Sequence, residues 1–249
     1  RWGIETSGRI PVDVRMNSQS VANATVRLKD NHGNLHWVAK TDLRGRAELF
    51  IDPALKTQGG LSVVVETPSG KIETRVPKKG GASTPLTIEL PSTNEVPKLY
   101  HGLDLMFVVD TTGSMGDELE YLKNEVGSVV EEVAGSNAQN FDIRTSVNFY
   151  RDTSDLYTVR AFPFERDIST VLEQLSSQSA GGGGDFPEAV DAALDNAIYD
   201  HHWREDARAR IIFLVLDAPP HESPEIQARV ARATREAAAR GIRIIPIAR

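Results

Sequence analysis

The chain has 249 residues, 40% of them apolar and 25% charged, with a formal net charge of −7 and no cysteine. That length supports one large domain or two modest ones. The lack of cysteine excludes disulfides, thiolate metal sites and cysteine nucleophiles. No apolar run approaches the ~20 residues that a membrane-spanning helix needs, so no direct membrane insertion is expected.

Charge is divided unevenly. Residues 1–100 hold 14 Lys/Arg against 10 Asp/Glu, a balance of +4, whereas residues 101–249 hold 14 against 25, a balance of −11. An acidic second half argues against nucleic acid as a partner and suits a cation site, although acidic surfaces also serve solubility alone. The chain opens on Arg1 with no signal-type apolar segment behind it, so a fragment or processed form is expected.

Residues 1–92 read as β-structure. The runs "ATVRLKD", "LHWVAKT" and "RAELFI" are β-prone and are separated by the turn signals "DNHGN" and "TDLRG". "LSVVVET", "KIETRV" and "LTIEL" continue the pattern, with "PSG" as a tight turn between the first two. Strands at this spacing predict a small all-β sandwich. "PSTNEVPKLYHG", Pro91 to Gly102, is polar with two prolines, and residues 93–102 within it read as the linker. Asn23-Ala24-Thr25 matches a glycosylation acceptor, a tripeptide loose enough to arise by chance.

From Leu103 onward strands alternate with helices. "LDLMFVVD" and "RIIFLVLD" are continuous apolar runs, as expected of strands covered on both faces. "GDELEYLKNEVGSVVEEVAG" sets Leu119, Leu122, Val126, Val129, Val130 and Val133 at helical spacing. "FDIRTSVNFY" and "LYTVRAFPF" read as a strand pair joined by the turn "RDTSD", with Asp152 and Asp155 solvated. "ISTVLEQLSSQ" and "FPEAVDAALDNAIY" read as helices, the second with Pro187 near its start. "SPEIQARVARATREAAARG" is a long helix and "IRIIPIA" a last strand. The predicted fold class is therefore α/β: a Rossmann-like open, mostly parallel sheet over residues 103–249, preceded by the sandwich.

Ligands bind such sheets beyond the carboxyl ends of the strands, where three acidic loops lie. "DTTGSMGDE" holds Asp110, Thr112, Ser114, Asp117 and Glu118; "SAGGGGDFPEA" holds Asp185 and Glu188; "DAPPHESPE" holds Asp217. Asp110 and Asp217 each end an apolar run, and two carboxylates on adjacent strands repel unless a cation lies between them. Hydroxyl and carboxylate oxygens suit a hard ion such as Mg²⁺, Mn²⁺ or Ca²⁺. Ser114, Asp117 and Glu118 also fit a helix N-cap followed by first-turn acids.

The motif "DTTGSM" resembles the Asp-x-Ser/Thr-x-Ser signature of the von Willebrand factor A domain. "GDFPEAVDAAL" and "FLVLDAPPH" are similar to the next two loops in the A-like domains of integrin β polypeptides. The resemblance implies a metal-ion-dependent adhesion site. Asp110, Thr112 and Ser114 would form its first loop, Glu188 or Asp185 its second and Asp217 its third. Asp117 and Glu118 would then be candidates for an adjacent ion, and His221 for the ligand rim. The implied function is divalent-cation-dependent capture of a protein partner's Asp or Glu carboxylate. Such a role suits an extracellular, cell-surface or periplasmic address. The resemblance also implies further structure after Arg249, so the expectation is either an A domain truncated at its C-terminus or a sheet completed by another segment or chain. In the first half, Thr41, Asp42 and Gly45 resemble a turn of carboxypeptidase-regulatory-like or transthyretin-like sandwiches.

Other chemistries fit less well. A haloacid-dehalogenase-type phosphatase would need an aspartate where Thr112 stands. Ser114, Asp217 and His221 follow the chain order of an α/β-hydrolase triad, but the Gly-x-Ser-x-Gly elbow is not formed. Gly181 to Gly184 lack a P-loop lysine. Adjacent His201 and His202 suit packing or surface roles better than one ion. The alternative to a ligand-binding module is an accessory or assembly module in which the metal is structural.

Overall fold

The computed structural model describes residues 8–51, 60–67, 70–77, 84–92, 101–135, 141–184 and 187–248, with side chains at 133–135 outside the description. The chain divides into two compact units, the first built mainly from residues 1–98 and the second mainly from residues 99–249. Most of the expected linker, and residues 68 and 69 of the "PSG" turn, fall outside the described residues.

The first unit contains β1 (Arg9–Met16), β2 (Gln19–Ser20), β3 (Thr25–Asp30), β4 (Leu35–Lys40), β5 (Arg46–Phe50), β6 (Leu61–Thr67), β7 (Gly70–Arg75) and β8 (Leu86–Leu90). One sheet has β1 paired with β2, β5 and β8; the other runs β4-β3-β6-β7. Val12, Val14, Leu49 and Ile88 from the first and Val26, Leu28, Val63 and Val65 from the second share one buried cluster. The turn residues have identifiable tasks. The Asp42 carboxylate accepts from the N–H groups of Arg44 and Arg46 at 2.8 and 2.9 Å. Buried Thr41 accepts from Ala24 N at 2.9 Å and donates to Val21 O at 2.6 Å. Strand β1 is absent from the runs expected on sequence grounds, because charged residues and Pro11 interrupt its apolar positions.

The second unit contains β9 (Gly102–Asp110), a 3₁₀ turn (Gly113–Met115), α1 (Gly116–Gly135), β10 (Asp142–Tyr150), β11 (Val159–Ala161), α2 (Ile168–Ser176), α3 (Val190–Tyr199), β12 (Ala209–Leu216), α4 (Pro224–Arg240) and β13 (Ile242–Ala248). Its sheet runs β11-β10-β9-β12-β13, with β10, β9, β12 and β13 parallel and β11 antiparallel at the edge. Alternation along the central strand sends Met106 and Val108 into a cluster with α3 and α4. Phe107 and Val109 point the other way, towards α1 and α2. This is the doubly wound α/β arrangement that the alternating elements predict. On α1, Leu119, Val126 and Val130 are buried as expected, while Val129 is 48% exposed.

The two ends of the sheet differ in their polar groups. Helix α3 begins at Val190, not near Pro187. Glu188 is therefore left in extended chain, in a parallel bridge with Pro220. At the amino end of the sheet, fully buried Asp104 accepts from the Arg144 guanidinium at 3.0 and 2.8 Å. It also accepts from Arg204 Nε at 2.8 Å and Arg204 N at 2.9 Å. These bonds clamp β9 to β10 and to the segment before β12, far along the strands from the carboxyl edge.

Candidate metal centre

The chain leaves β9 for α1, and passes from β10 across to β12, so Asp110 and Asp217 end neighbouring strands beside a reversal of strand order, where open sheets form their crevices. Asp110 is completely buried. Its Oδ1 accepts from both Thr112 N, at 2.9 Å, and Thr112 Oγ1, at 2.8 Å. This local turn holds the carboxylate rigid and brings Thr112 Oγ1 to 3.4 Å from Ser114 Oγ. Buried Met115 anchors the 3₁₀ turn, and Ser114 remains exposed.

The second and third loops are tied together, since Glu188 N donates to Pro219 O at 3.0 Å. The glycine run is bonded to the first loop: Gly181 N donates to Thr111 O at 3.0 Å and Gly113 N to Gly182 O at 3.1 Å. Gly183 has φ +71°, and a Cβ there would stand 2.8 Å from Thr112 Cβ and 3.2 Å from Glu188 Oε1. Only glycine lets the backbone pass between those side chains. Thr112, Gly113, Ser114, Gly182, Gly183, Gly184 and Glu188 line an open cleft of about 340 Å³.

The "RDTSD" segment is not the solvated turn expected from sequence. Asp152 is only 4% exposed, and its Oδ1 lies 2.6 Å from His221 Nε2. Asp155 accepts from Gly183 N at 3.0 and 3.2 Å. Neither residue stands among the site candidates that the sequence suggests. A signal for them exists: "FDIRTSVNFY" is a strand parallel to "LDLMFVVD", so the loop after it emerges at the same edge. His221, expected at the ligand rim from sequence, is engaged with Asp152.

Electrostatics show how crowded the edge is. Burial, helped by the charges of Asp217 and Asp155, pushes Asp110 up to about 6 against the two Thr112 hydrogen bonds that favour its ionised form. Glu188 is pushed up to about 8, chiefly by burial and then by Asp110, Asp152, Asp155 and Asp217. Burial also acts to raise Asp152, but the bonds from His221, Thr153 and Ser154 outweigh it and leave its pKa below the ordinary value. Three carboxylate oxygens, Asp110 Oδ2, Glu188 Oε2 and Asp217 Oδ1, are buried with no hydrogen-bond donor. Such atoms are costly unless something positive meets them.

Among the described residues no three Asp, Glu or His side chains close on one point as a ready cage. The available donors are mixed, carboxylates with hydroxyls, and they fit a hard, oxygen-seeking divalent cation. Asp185 lies outside the described residues. Asp117 and Glu118 stand in the first turn of α1, where they complement the helix dipole.

Residues 104–248, more than half of the chain, match the von Willebrand factor type A domain family. The chain belongs to that family. Two relatives share the A-domain region. An alpha-protein kinase, vwkA, of Dictyostelium discoideum is 33% identical over 135 residues, which is 53% of this chain and 21% of the kinase. A putative ariadne-like RING finger protein of Acanthamoeba polyphaga mimivirus is 30% identical over 131 residues, 52% of this chain and 12% of that protein. The chain thus spans a small part of either relative. Among solved structures, proximal thread matrix protein 1 of the mussel byssus, with a zinc-occupied MIDAS motif, aligns at a TM-score of 0.45 and 15% identity. That alignment covers 60% of this chain and 38% of the mussel protein. No helix among the described residues of the A domain or the β-rich unit is long and apolar enough to cross a membrane.

Proposed function

We propose that the A domain binds a protein partner by capturing one of its Asp or Glu side chains through a divalent cation. Asp110, Thr112 and Ser114 from the first loop, Glu188 from the second and Asp217 from the third would hold the ion, with Mg²⁺ favoured and Mn²⁺ or Ca²⁺ as alternatives. When bound, the cation supplies an open coordination position for the incoming carboxylate. The single observation behind this reading is the set of three buried, donorless carboxylate oxygens, one of them on Glu188, which lines an open cleft.

The chain's own residues contribute in separable ways. Thr112 fixes Asp110 through two hydrogen bonds. Gly183 lets Glu188 and Thr112 face one another across the glycine run. The bond between Glu188 N and Pro219 O keeps the second loop in step with the third. A charged, directional contact in such a cleft anchors an otherwise modest interface. In the rival hydrolase reading His221 would serve Ser114, yet its Nε2 engages Asp152 instead. The β-rich unit over residues 1–92 is, in this reading, a separate sandwich domain.

The test is retention of an immobilised Asp-containing peptide library, compared with its Asn-substituted counterpart. Retention that needs Mg²⁺, disappears in EDTA and is absent from Asp110→Ala supports capture. Retention indifferent to EDTA contradicts it. A Mg²⁺-induced thermal shift without retention of any acidic peptide assigns the ion a structural role in an assembly module.

A further inference from the structure

Beneath the carboxylates lies a group that the proposed function does not use. Tyr150 ends β10 and is the direct register partner of Asp110 on β9. Alternation puts both side chains on the same face of the sheet, the face shared with Val108, Val190 and Leu216. The Tyr150 ring is wholly buried, while its hydroxyl has no hydrogen-bonding partner. Its main chain is firmly held, since Thr111 N and Oγ1 both donate to Tyr150 O, at 3.0 and 3.1 Å. A buried phenol normally finds a partner, because stripping its hydroxyl of water without replacement is unfavourable. A phenylalanine would fill the same space at lower cost, so packing alone does not account for a tyrosine here.

The carboxylate beside Tyr150 in the sheet is Asp110, a member of the candidate site. Asp110, Glu188 and Asp217 are the charges that, after burial, drive the Tyr150 pKa well above its ordinary value. Each of the three carries one buried oxygen without a donor. Resting on the cation site described above, we propose that Tyr150 is a positioning residue. Its hydroxyl donates to the Asp110–Glu188 carboxylates in the cation-loaded protein, and so orients them for the cation. A donor beneath a carboxylate fixes its orientation as outer groups do in other metal sites. The hydroxyl's contribution then belongs to the cation-loaded protein, and in the cation-free protein it is a burden.

This reverses the usual expectation for removing a buried hydroxyl. Tyr150→Phe should melt in EDTA at a temperature no lower than wild type, yet bind Mg²⁺ roughly tenfold more weakly by calorimetry. Wild-type protein should also show a tyrosine absorbance difference on Mg²⁺ addition that Tyr150→Phe loses. Mg²⁺ affinity unchanged within about twofold would overturn the proposal. So would weaker affinity accompanied by a lower melting temperature in EDTA, since the hydroxyl would then be supporting the metal-free fold. Failure of wild type itself to bind Mg²⁺ would remove the cation site, a different outcome from failure of Tyr150 alone.

Discussion

The Asp155 carboxylate grips the Gly183 N–H with both oxygens, at 3.0 and 3.2 Å, and through it holds the loop that presses on Thr112 and Glu188. Asp155 thus supports the candidate site without standing in the cleft. Asp155→Ala should leave the fold intact and weaken Mg²⁺ binding by about tenfold, the scale of one charge-assisted hydrogen bond. Asp155→Asn, which can still accept from Gly183, should recover part of that loss. Calorimetric titration of both variants checks this, and equal affinities for wild type and Asp155→Ala would contradict it.

The glycine run makes a sharper contrast within a few residues. Gly182 and Gly183 have φ values of +78° and +71°, and a Cβ on Gly182 would collide with Asp155 Oδ1. At Gly184 a Cβ would meet nothing within 4 Å. Gly183→Ala should cost about 1–2 kcal/mol for the left-handed backbone, before its clash with Thr112, and abolish cation binding. Gly184→Ala should stay within about 0.5 kcal/mol of wild type. Urea denaturation and Mg²⁺ titration of the two variants separate the cases.

Charge repulsion at the edge predicts opposite effects on the free and loaded protein. Asp217→Asn removes a charge that raises both Asp110 and Glu188. In EDTA this variant should melt at or above the wild-type temperature, while the stabilisation of wild type by Mg²⁺ should vanish. A lower melting temperature in EDTA would show that Asp217 supports the fold rather than an ion.

Those pKa shifts also set a pH dependence. Asp110 lies at about 6 against an ordinary value of 3.8, and Glu188 at about 8 against 4.5. Both are raised, so the folded, cation-free protein holds more protons than the unfolded chain between those values. Their stabilising contribution is complete below the unfolded pKa values and is lost as pH rises through about 6 and then about 8. Melting temperatures in EDTA should therefore fall from about pH 5 to pH 8, and saturating Mg²⁺ should flatten the decline. A flat profile in EDTA would contradict the crowding of these carboxylates.

The amino end of the sheet supplies a control. Asp104→Ala would leave the largely buried Arg144 without its carboxylate partner, while Arg204 keeps its pair with Asp142, at a cost of about 3 kcal/mol in urea denaturation. Because Asp104 lies at the far end of β9, the Mg²⁺ affinity of the folded fraction should be unchanged.

Much of this architecture is legible in the sequence, for physical reasons. Buried parallel strands such as "LDLMFVVD" and "RIIFLVLD" need apolar residues on both faces, so they stand out, and the aspartates that end them mark the sheet edge. Strand β1 is less visible, because Arg9, Pro11, Asp13 and Arg15 interrupt its apolar positions. The roles of Asp152 and Asp155 are hidden because their partners, His221 and Gly183, are 69 and 28 residues away. A short acidic segment reads as solvated until such partners are seen. Tyr150 is hidden for a related reason: a tyrosine at the end of an apolar strand looks like core, and only its unpartnered hydroxyl distinguishes it.

In the proposed site Asp110, Thr112, Ser114, Glu188 and Asp217 together hold one divalent cation. Calorimetric titration of Mn²⁺ into EDTA-stripped protein, wild type beside Asp110→Ala, tests it most directly. Wild type should bind a single ion saturably, and a folded Asp110→Ala should bind none. Binding of equal strength and stoichiometry in both proteins would contradict it.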